Sequence, residues 1–309
     1  MALEGIHHIT AITGDAPRNV DFYARLLGLR LVKKTVNFDA PDVYHLYYGD
    51  EAGTPGSILT FFEFPGALPG RPGDGMVHTI EWRVSSDEAL DFWTARLADA
   101  GVAAERDGAA LRFADPEGLR HSLLAVAVDD PPLAARTPDI PAEHALLGFH
   151  GVLAYAAVPE RSAGLLRALG FERGGDADTH WRVAGAERHA TLAYEPPPAD
   201  RGRTSAGTIH HIAWSVADDD ELRDYRSRAL AAGAHATDII DRQYFHSVYF
   251  REPSAILFEL ASRDIGFDYD EPAESLGEAL KLPPQYEEMR DQLERRLTPL
   301  HNPRAPVAP

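Results

Sequence analysis

Residues 5–13, GIHHITAIT, and residues 208–216, TIHHIAWSV, decide how this chain is read. Each carries a His-His pair at the head of a short run of β-forming residues, the pattern of a strand. Two further segments share the layout with a single histidine, MVHTIEWRV at 76–84 and GFHGVLAYA at 148–156. The first histidines of the four, His7, His78, His150 and His210, stand 71, 72 and 60 residues apart. Similarity at a recurring interval of this size marks an internal repeat.

The residues after each segment repeat too. A stretch with helical periodicity comes next: VDFYARLLGL, ALDFWTARLADAG, RSAGLLRALGF and ELRDYRSRALAAG. Each runs into a glycine (Gly28, Gly101, Gly170, Gly233), a common helix terminator. Short β-rich runs then complete the copy, such as LRLVKKTVNF, VYHLYYG and GSILTFFEF in the first and HATDIIDRQ, SVYFRE and AILFELA in the fourth. The expected fold class is therefore α+β, four βαβββ modules, the third being the least regular. Pro/Gly-rich stretches at 64–75, 129–142 and 195–207 read as linkers. The domain expectation is 1–130 and 143–270, two modules each, followed by a tail over 271–309. In that tail Met289, Leu293 and Leu297 form a stripe at helical spacing, which predicts a terminal amphipathic helix.

Composition narrows the function. The 309 residues carry a net charge of −18, from 30 basic and 48 acidic side chains. Without a Lys/Arg cluster this repels nucleic acid and anionic membrane, so neither partner is expected. The absence of cysteine excludes disulfides, thiolate nucleophiles, zinc–thiolate sites and iron–sulfur clusters. The first residues, MALEGIHHIT, lack the basic and apolar regions of a secretory signal, and no apolar run approaches the ~18 residues of a membrane span. A cytoplasmic location is expected.

The repeat also serves as an internal control. Its first histidine occurs in all four copies and reads as a shared structural or lining position. The next residue is His8, Thr79, Gly151 and His211 in turn, so only the outer copies keep an imidazole there. When the final strands are aligned on their preceding proline, Glu259 falls opposite Phe61 and Ser122, and opposite Thr191 by position in the third copy. The acid appears once. Alternation along a strand puts His8 with Thr10, His211 with Ala213 and Glu259 with Leu257. Burial of an unpaired carboxylate costs several kcal/mol, a cost that a divalent cation removes. Two imidazoles and one carboxylate are the donor set of a facial metal site with open positions. His78 and His150 read as structural, and His45 and His246 as packing or solvent-exposed residues. His121, His144, His180, His189, His235 and His301 form no constellation.

With these residues in view, the chain resembles the vicinal oxygen chelate superfamily, whose fold pairs βαβββ units into partly open mixed β-barrels. More narrowly, it is similar to the ring-cleaving dioxygenases of the hydroquinone type. The similarity covers residues 3 to about 270 and is carried by GIHHITAITGDAPRNVDFYARLLGLRLVKKTVNFD, YHLYYGDEAGTPGSILTFF and RQYFHSVYFREPSAILFELAS. The resemblance implies Fe(II) held by His8, His211 and Glu259, although such ligands also accept Mn, Zn or Ni. It implies a substrate-bonding role for Tyr249, a neighbouring role for Arg242, and lining or bracing roles for His7, Thr10 and His210. His7 or His210 is also a candidate proton shuttle. The expected partners are a small aromatic substrate and O2, within a homo-oligomer. Catechol-type relatives carry a histidine where this chain has Ile240, which favours the hydroquinone branch. Two other readings share the fold. A glyoxalase-like isomerase or lyase calls for a second glutamate, where Phe61 stands with Glu63 two residues on. A small-molecule binding protein calls for no metal ligands.

Overall fold

The computed structural model describes residues 2–174 and 178–304, so the end of the expected tail lies outside the described residues. The first module holds β1 (Ile6–Thr13), α1 (Ala16–Val20), β2 (Arg30–Asn37), β3 (Ala40–Gly49) and β4 (Ile58–Glu63). The second holds β5 (Met76–Val84), α2 (Asp87–Asp99), β6 (Ala104–Asp107), β7 (Ala110–Ala114) and β8 (Arg120–Ala125). The third holds β9 (Phe149–Tyr155), α3 (Ala163–Ala168), β10 (Glu172–Arg173), β11 (His180–Ala184) and β12 (His189–Glu195). The fourth holds β13 (Ile209–Val216), α4 (Asp219–Ala231), β14 (Ile240–Asp241), β15 (His246–Arg251) and β16 (Leu257–Ser262). These are the four expected βαβββ copies. The run HATDIIDRQ gives only the two-residue β14; its 235–239 portion is irregular and reaches β15 through Thr237 N, which donates to Tyr249 O at 2.9 Å.

Local chemistry explains the helix limits. Asp15, Ser86 and Asp218 accept backbone N–H groups at the starts of α1, α2 and α4, which satisfies donors left over by the first turn. The predicted terminators Gly28, Gly101, Gly170 and Gly233 all sit at φ between 72° and 88°, where a side chain would be strained. After α1 the chain widens over Asp21–Leu26, and Leu27 N bonds Phe22 O five residues back.

Two eight-stranded sheets result, in the orders β14-β15-β16-β13-β1-β4-β3-β2 and β10-β11-β12-β9-β5-β8-β7-β6. The first joins modules one and four through antiparallel β1 and β13; the second joins modules two and three through β5 and β9. Each expected half, 1–130 and 143–270, is therefore divided between both sheets. The linkers at 64–75 and 195–207 pair with each other, through Arg71 N to Arg203 O at 2.9 Å and the reverse at 2.7 Å.

The main core includes the fully buried Trp82, Trp93, Trp214 and Tyr225. A smaller cluster of Val32, Tyr47, Ile58, Ala213, Tyr244, Phe245, Ala261, Phe267 and Leu276 fills the inner side of the first sheet. The tail closes over β2 and β3. Buried Lys33 reaches Asp270 at 2.6 Å and also bonds Glu271, and Tyr286 donates to Phe38 O at 2.8 Å. The expected helix is α5 (Arg290–Arg296), with Leu293 and Leu297 buried against the body.

Candidate metal centre

Strand register builds the site. In β1 and β13, His8 lies opposite Ala213 and Thr10 opposite His211; in β16, Glu259 lies beside Ala213; in β15, Tyr249 lies beside Glu259. All of these positions share the inner face of the first sheet. Among the described residues, His8, His211 and Glu259 are the one group of His, Cys, Asp or Glu side chains close enough to hold an ion. His8 Nε2 and His211 Nε2 are 3.3 Å apart, and Glu259 Oε2 is 3.2 Å from the first and 2.9 Å from the second. Metal–ligand bonds of about 2.1 Å at right angles separate neighbouring donors by about 3.0 Å. The triangle thus has the dimensions of one face of an octahedron.

The His-His pairs have a geometric cause. Pairing skips His7 in β1, His78 in β5, His150 in β9 and His210 in β13, so every first histidine of the repeat is the extra residue of a β-bulge. A bulge lets consecutive side chains, which a flat strand sends to opposite faces, meet each other. His7 Nδ1 lies 3.0 Å from His8 Nδ1, and His210 Nδ1 lies 2.8 Å from His211 Nδ1. His7 Nε2 faces the Ser262 carbonyl at 3.0 Å, so it is the N–H nitrogen and His7 Nδ1 must accept from His8. His8 then keeps its lone pair on Nε2, toward the other donors. Outer hydrogen bonds of this kind fix the tautomer of metal-binding histidines.

The electrostatics fit a cation as well. Glu259 is wholly buried, Ser247 donates to its Oε1, and its Oε2 lacks a hydrogen bond. Burial opposes its charge, yet His8 and His211 hold its carboxyl well below the usual range. Burial lowers His211, while Glu259 opposes that shift. Burial and neighbouring His8 push His7 down to about 3, so it stays neutral. With both nitrogens engaged, His7 is a brace. These residues fit a bound divalent ion.

The triad opens on a cavity of about 300 Å³, lined by Thr10, Phe62, Phe245 and Tyr249 among others. Arg242 Nε donates to Tyr249 Oη at 3.2 Å, which leaves the phenol proton for another acceptor. Burial, then Glu259, raises Tyr249, so it remains a donor. Arg242 also faces Asp39 at 3.4 Å. All the metal and lining positions expected from the sequence, His7, His8, Thr10, His210, His211, Arg242, Tyr249 and Glu259, meet here.

Two expectations need correction. Thr10 pairs with Thr60 just as Ala213 pairs with Glu259, so the first-module counterpart of the acid is Thr60 and not Phe61. The third-module counterpart is Ala193 and not Thr191, because Leu153 pairs with Ala193; Ser122 stands as read. The proline was the wrong anchor. The shared feature is a residue of positive φ four places earlier, namely Gly56 before Thr60, Gly118 before Ser122 and Ala255 before Glu259. Glu63 lies on the opposite face and accepts Ala16 N at 3.0 Å, capping α1. His45 is buried, in keeping with the packing reading, and in addition walls the cavity, bonded to Tyr47 and Thr60. Its sequence signal was the alternation His45-Leu46-Tyr47, which places both rings on one face.

Residues 5–123 and 148–260 match the family model of the glyoxalase/bleomycin resistance protein/dioxygenase superfamily. The chain belongs to this superfamily. Relatives of the chain within it are named ring-cleaving dioxygenases. It is 42% identical to MhqO of Bacillus subtilis, provisionally named a ring-cleaving dioxygenase, over 96% of each chain. It is 34% identical to the chlorohydroquinone/hydroquinone 1,2-dioxygenase of Sphingobium indicum, again over 96% of each. A solved Bacillus subtilis structure, provisionally named a dioxygenase, superposes with a TM-score of 0.91 at 40% identity, covering 97% of this chain and 98% of that one. No described helix is long and apolar enough to cross a membrane.

Proposed function

We propose that the protein opens a hydroquinone-like aromatic ring with O2, using Fe(II) held by His8, His211 and Glu259. The observation that carries this reading is the facial triangle of two Nε2 atoms and one Oε2, facing an aromatic-walled cavity. Iron rests on the family resemblance read from the sequence, since the donor set itself accepts other divalent ions. Bound there, the ion supplies a Lewis acid and a meeting point for a substrate oxygen and O2.

The protein's own groups do the rest. Phe62 and Phe245 offer flat walls to the ring and exclude water. Tyr249 donates its phenol proton to a substrate oxygen, and Arg242 fixes the direction of that donation from behind. As preorganised donors they steady negative charge that grows on the substrate. His7 and His210 hold the ligand imidazoles in orientation. The glyoxalase-like alternative is disfavoured by Thr60, a neutral hydroxyl where pseudo-symmetry would place a second carboxylate.

Anaerobic loading with Fe(II), followed by oxygen-uptake assays, tests the proposal. Uptake is expected with hydroquinone, chlorohydroquinone and methylhydroquinone, and much less with catechol. Stoichiometric iron without uptake on any diphenol would refute it in favour of an isomerase.

A further inference from the structure

The first-module side of the cavity carries a hydrogen-bonded chain built on an imidazole, where the fourth module instead has Ser247 donating to Glu259. Tyr47 Oη lies 2.9 Å from His45 Nδ1, His45 Nε2 lies 2.9 Å from Thr60 Oγ1, and Thr60 Oγ1 lies 2.9 Å from Thr10 Oγ1. All four residues are buried, and Tyr47, His45 and Thr10 line the cavity. By register, Tyr47 corresponds to Tyr249, His45 to Ser247, and Thr60 to Glu259. The half-barrel thus faces its occupant with one anionic ligand wall and one neutral hydroxyl–imidazole wall.

Proton accounting gives this neutral wall a property. Three hydroxyls and a neutral imidazole hold four exchangeable protons, and three links use three of them. Neither Tyr47 Oη nor Thr10 Oγ1 has another hydrogen-bond partner among the described residues. One proton is therefore left over, and a neutral imidazole permits only two ordered arrangements. If Tyr47 donates to Nδ1, then Nε2–H donates to Thr60, Thr60 donates to Thr10, and the spare proton sits on Thr10. In the reverse arrangement it sits on Tyr47. Leaving the spare proton on fully buried Thr60 would strand an unpaired donor, which is unfavourable.

We propose that Tyr47–His45–Thr60–Thr10 is a proton relay across the wall of the cavity. It rests on the ring-cleavage reading for its substrate. A substrate hydroxyl at the Tyr47 end gives its proton to Tyr47 Oη. The Tyr47 proton passes to His45 Nδ1, the Nε2 proton to Thr60, and the Thr60 proton to Thr10. The original Thr10 proton passes to a substrate-derived oxygen beside it. One proton enters, one leaves, no electrons move, and the chain ends in its reversed arrangement. Burial keeps the His45 ring well below its ordinary pKa, with His8, His211 and Arg242 adding to the effect.

Two substitutions separate relay from packing. His45→Gln keeps one acceptor and one donor but cannot exchange tautomers; Thr60→Val keeps shape and breaks the chain. In the iron-loaded enzyme each is expected to lower kcat on hydroquinone by ~100-fold, the usual scale of positioned proton transfer. KM is expected to stay within about threefold, since uniform binding is untouched, with iron content unchanged. Wild-type kcat in both variants would overturn the relay, and so would a loss of iron or a rise in KM that accounts for the lost rate. A second readout uses the metal-free protein. Nitrogen-15 imidazole shifts are expected to show His45 neutral and averaging two tautomers, collapsing to one in Thr60→Val. A single fixed tautomer in the unsubstituted chain would overturn the proposal. Should no diphenol be turned over at all, ring cleavage fails on its own, and the nitrogen spectra still decide the relay.

Discussion

Metal binding at the triad has a calculable signature in thermal stability, and removal of one ligand should erase it. A protein of 309 residues, at about 2.1 cal/mol/K per residue, has an unfolding entropy near 0.65 kcal/mol/K. An ion present at 100 times its dissociation constant adds about 2.7 kcal/mol to the folded state. Together these raise Tm by about 4 °C. Mn(II), stable in air, serves as the probe ion in a differential scanning experiment. His211→Ala removes a nitrogen that stands 2.9 Å from Glu259 Oε2. If affinity drops 100-fold, the same Mn(II) concentration yields only ~0.4 kcal/mol, or under 1 °C. His7→Ala leaves all three donors in place but frees the His8 ring, whose Nδ1 it holds at 3.0 Å. Bracing groups are worth about 10- to 100-fold in affinity, so its shift should fall between roughly 0.6 and 2 °C. The ordering of the three proteins matters more than the absolute values. Equal Mn(II) shifts in the wild type and His211→Ala would place the ion elsewhere and remove the basis of the proposed chemistry.

Single contacts set further expectations. Tyr249→Phe removes a donor from the cavity while leaving the triad alone, so steady-state assays should show kcat/KM lower by ~10- to 100-fold with an unchanged Mn(II) shift. Burial, then Glu195, raises Glu81 from 4.5 to about 7, so the fold prefers its protonated form. Its stabilising contribution is complete below pH 4.5 and is lost as pH climbs to 7; Glu81→Gln should match the wild type in urea at pH 4 and exceed it by about 1–2 kcal/mol at pH 8. Ala255 holds φ at 75°, where Gly56 and Gly118 stand in the sister modules, and Ala255→Gly should raise the urea midpoint by an amount equivalent to about 0.5 kcal/mol.

Much of the fold and the ligand set was legible in the residues alone, for physical reasons. The helix terminators could be read because each needs a positive φ that favours glycine. The acid could be read because a lone carboxylate is costly to bury in an apolar strand. The imidazoles kept in only two of the four copies then single out the pair able to share a cation with it. The counterpart of Glu259 was misread because proline marks a turn without fixing its length. Pro253 lies two residues before the left-handed residue, and Pro55 only one. The place of His45 on the cavity wall was lost because its partners Tyr47 and Thr60 come from one hairpin, whereas its cavity is completed from the far end of the chain. Buried Lys33 is similar: its charge is acceptable only because Asp270 and Glu271 return to it from the tail, a pairing no local pattern announces.

The doubled histidine ties sequence, strand geometry and chemistry together. In the second module, which has no ligand, His78 Nδ1 still meets the next side chain, Thr79 Oγ1, at 2.9 Å. The contact between neighbours is therefore a property of the bulge, present before any metal chemistry is asked of it. At His8 the same contact takes up the Nδ1 proton and leaves Nε2 as the free lone pair. A ligand histidine on a regular strand would have to find that outer acceptor on another element. Here the residue immediately before it supplies one, at no further loss of chain entropy, because the bulge has already fixed both backbones. The repeat gives every module the bulged histidine; modules one and four carry one imidazole each after it, and module four carries the single acid.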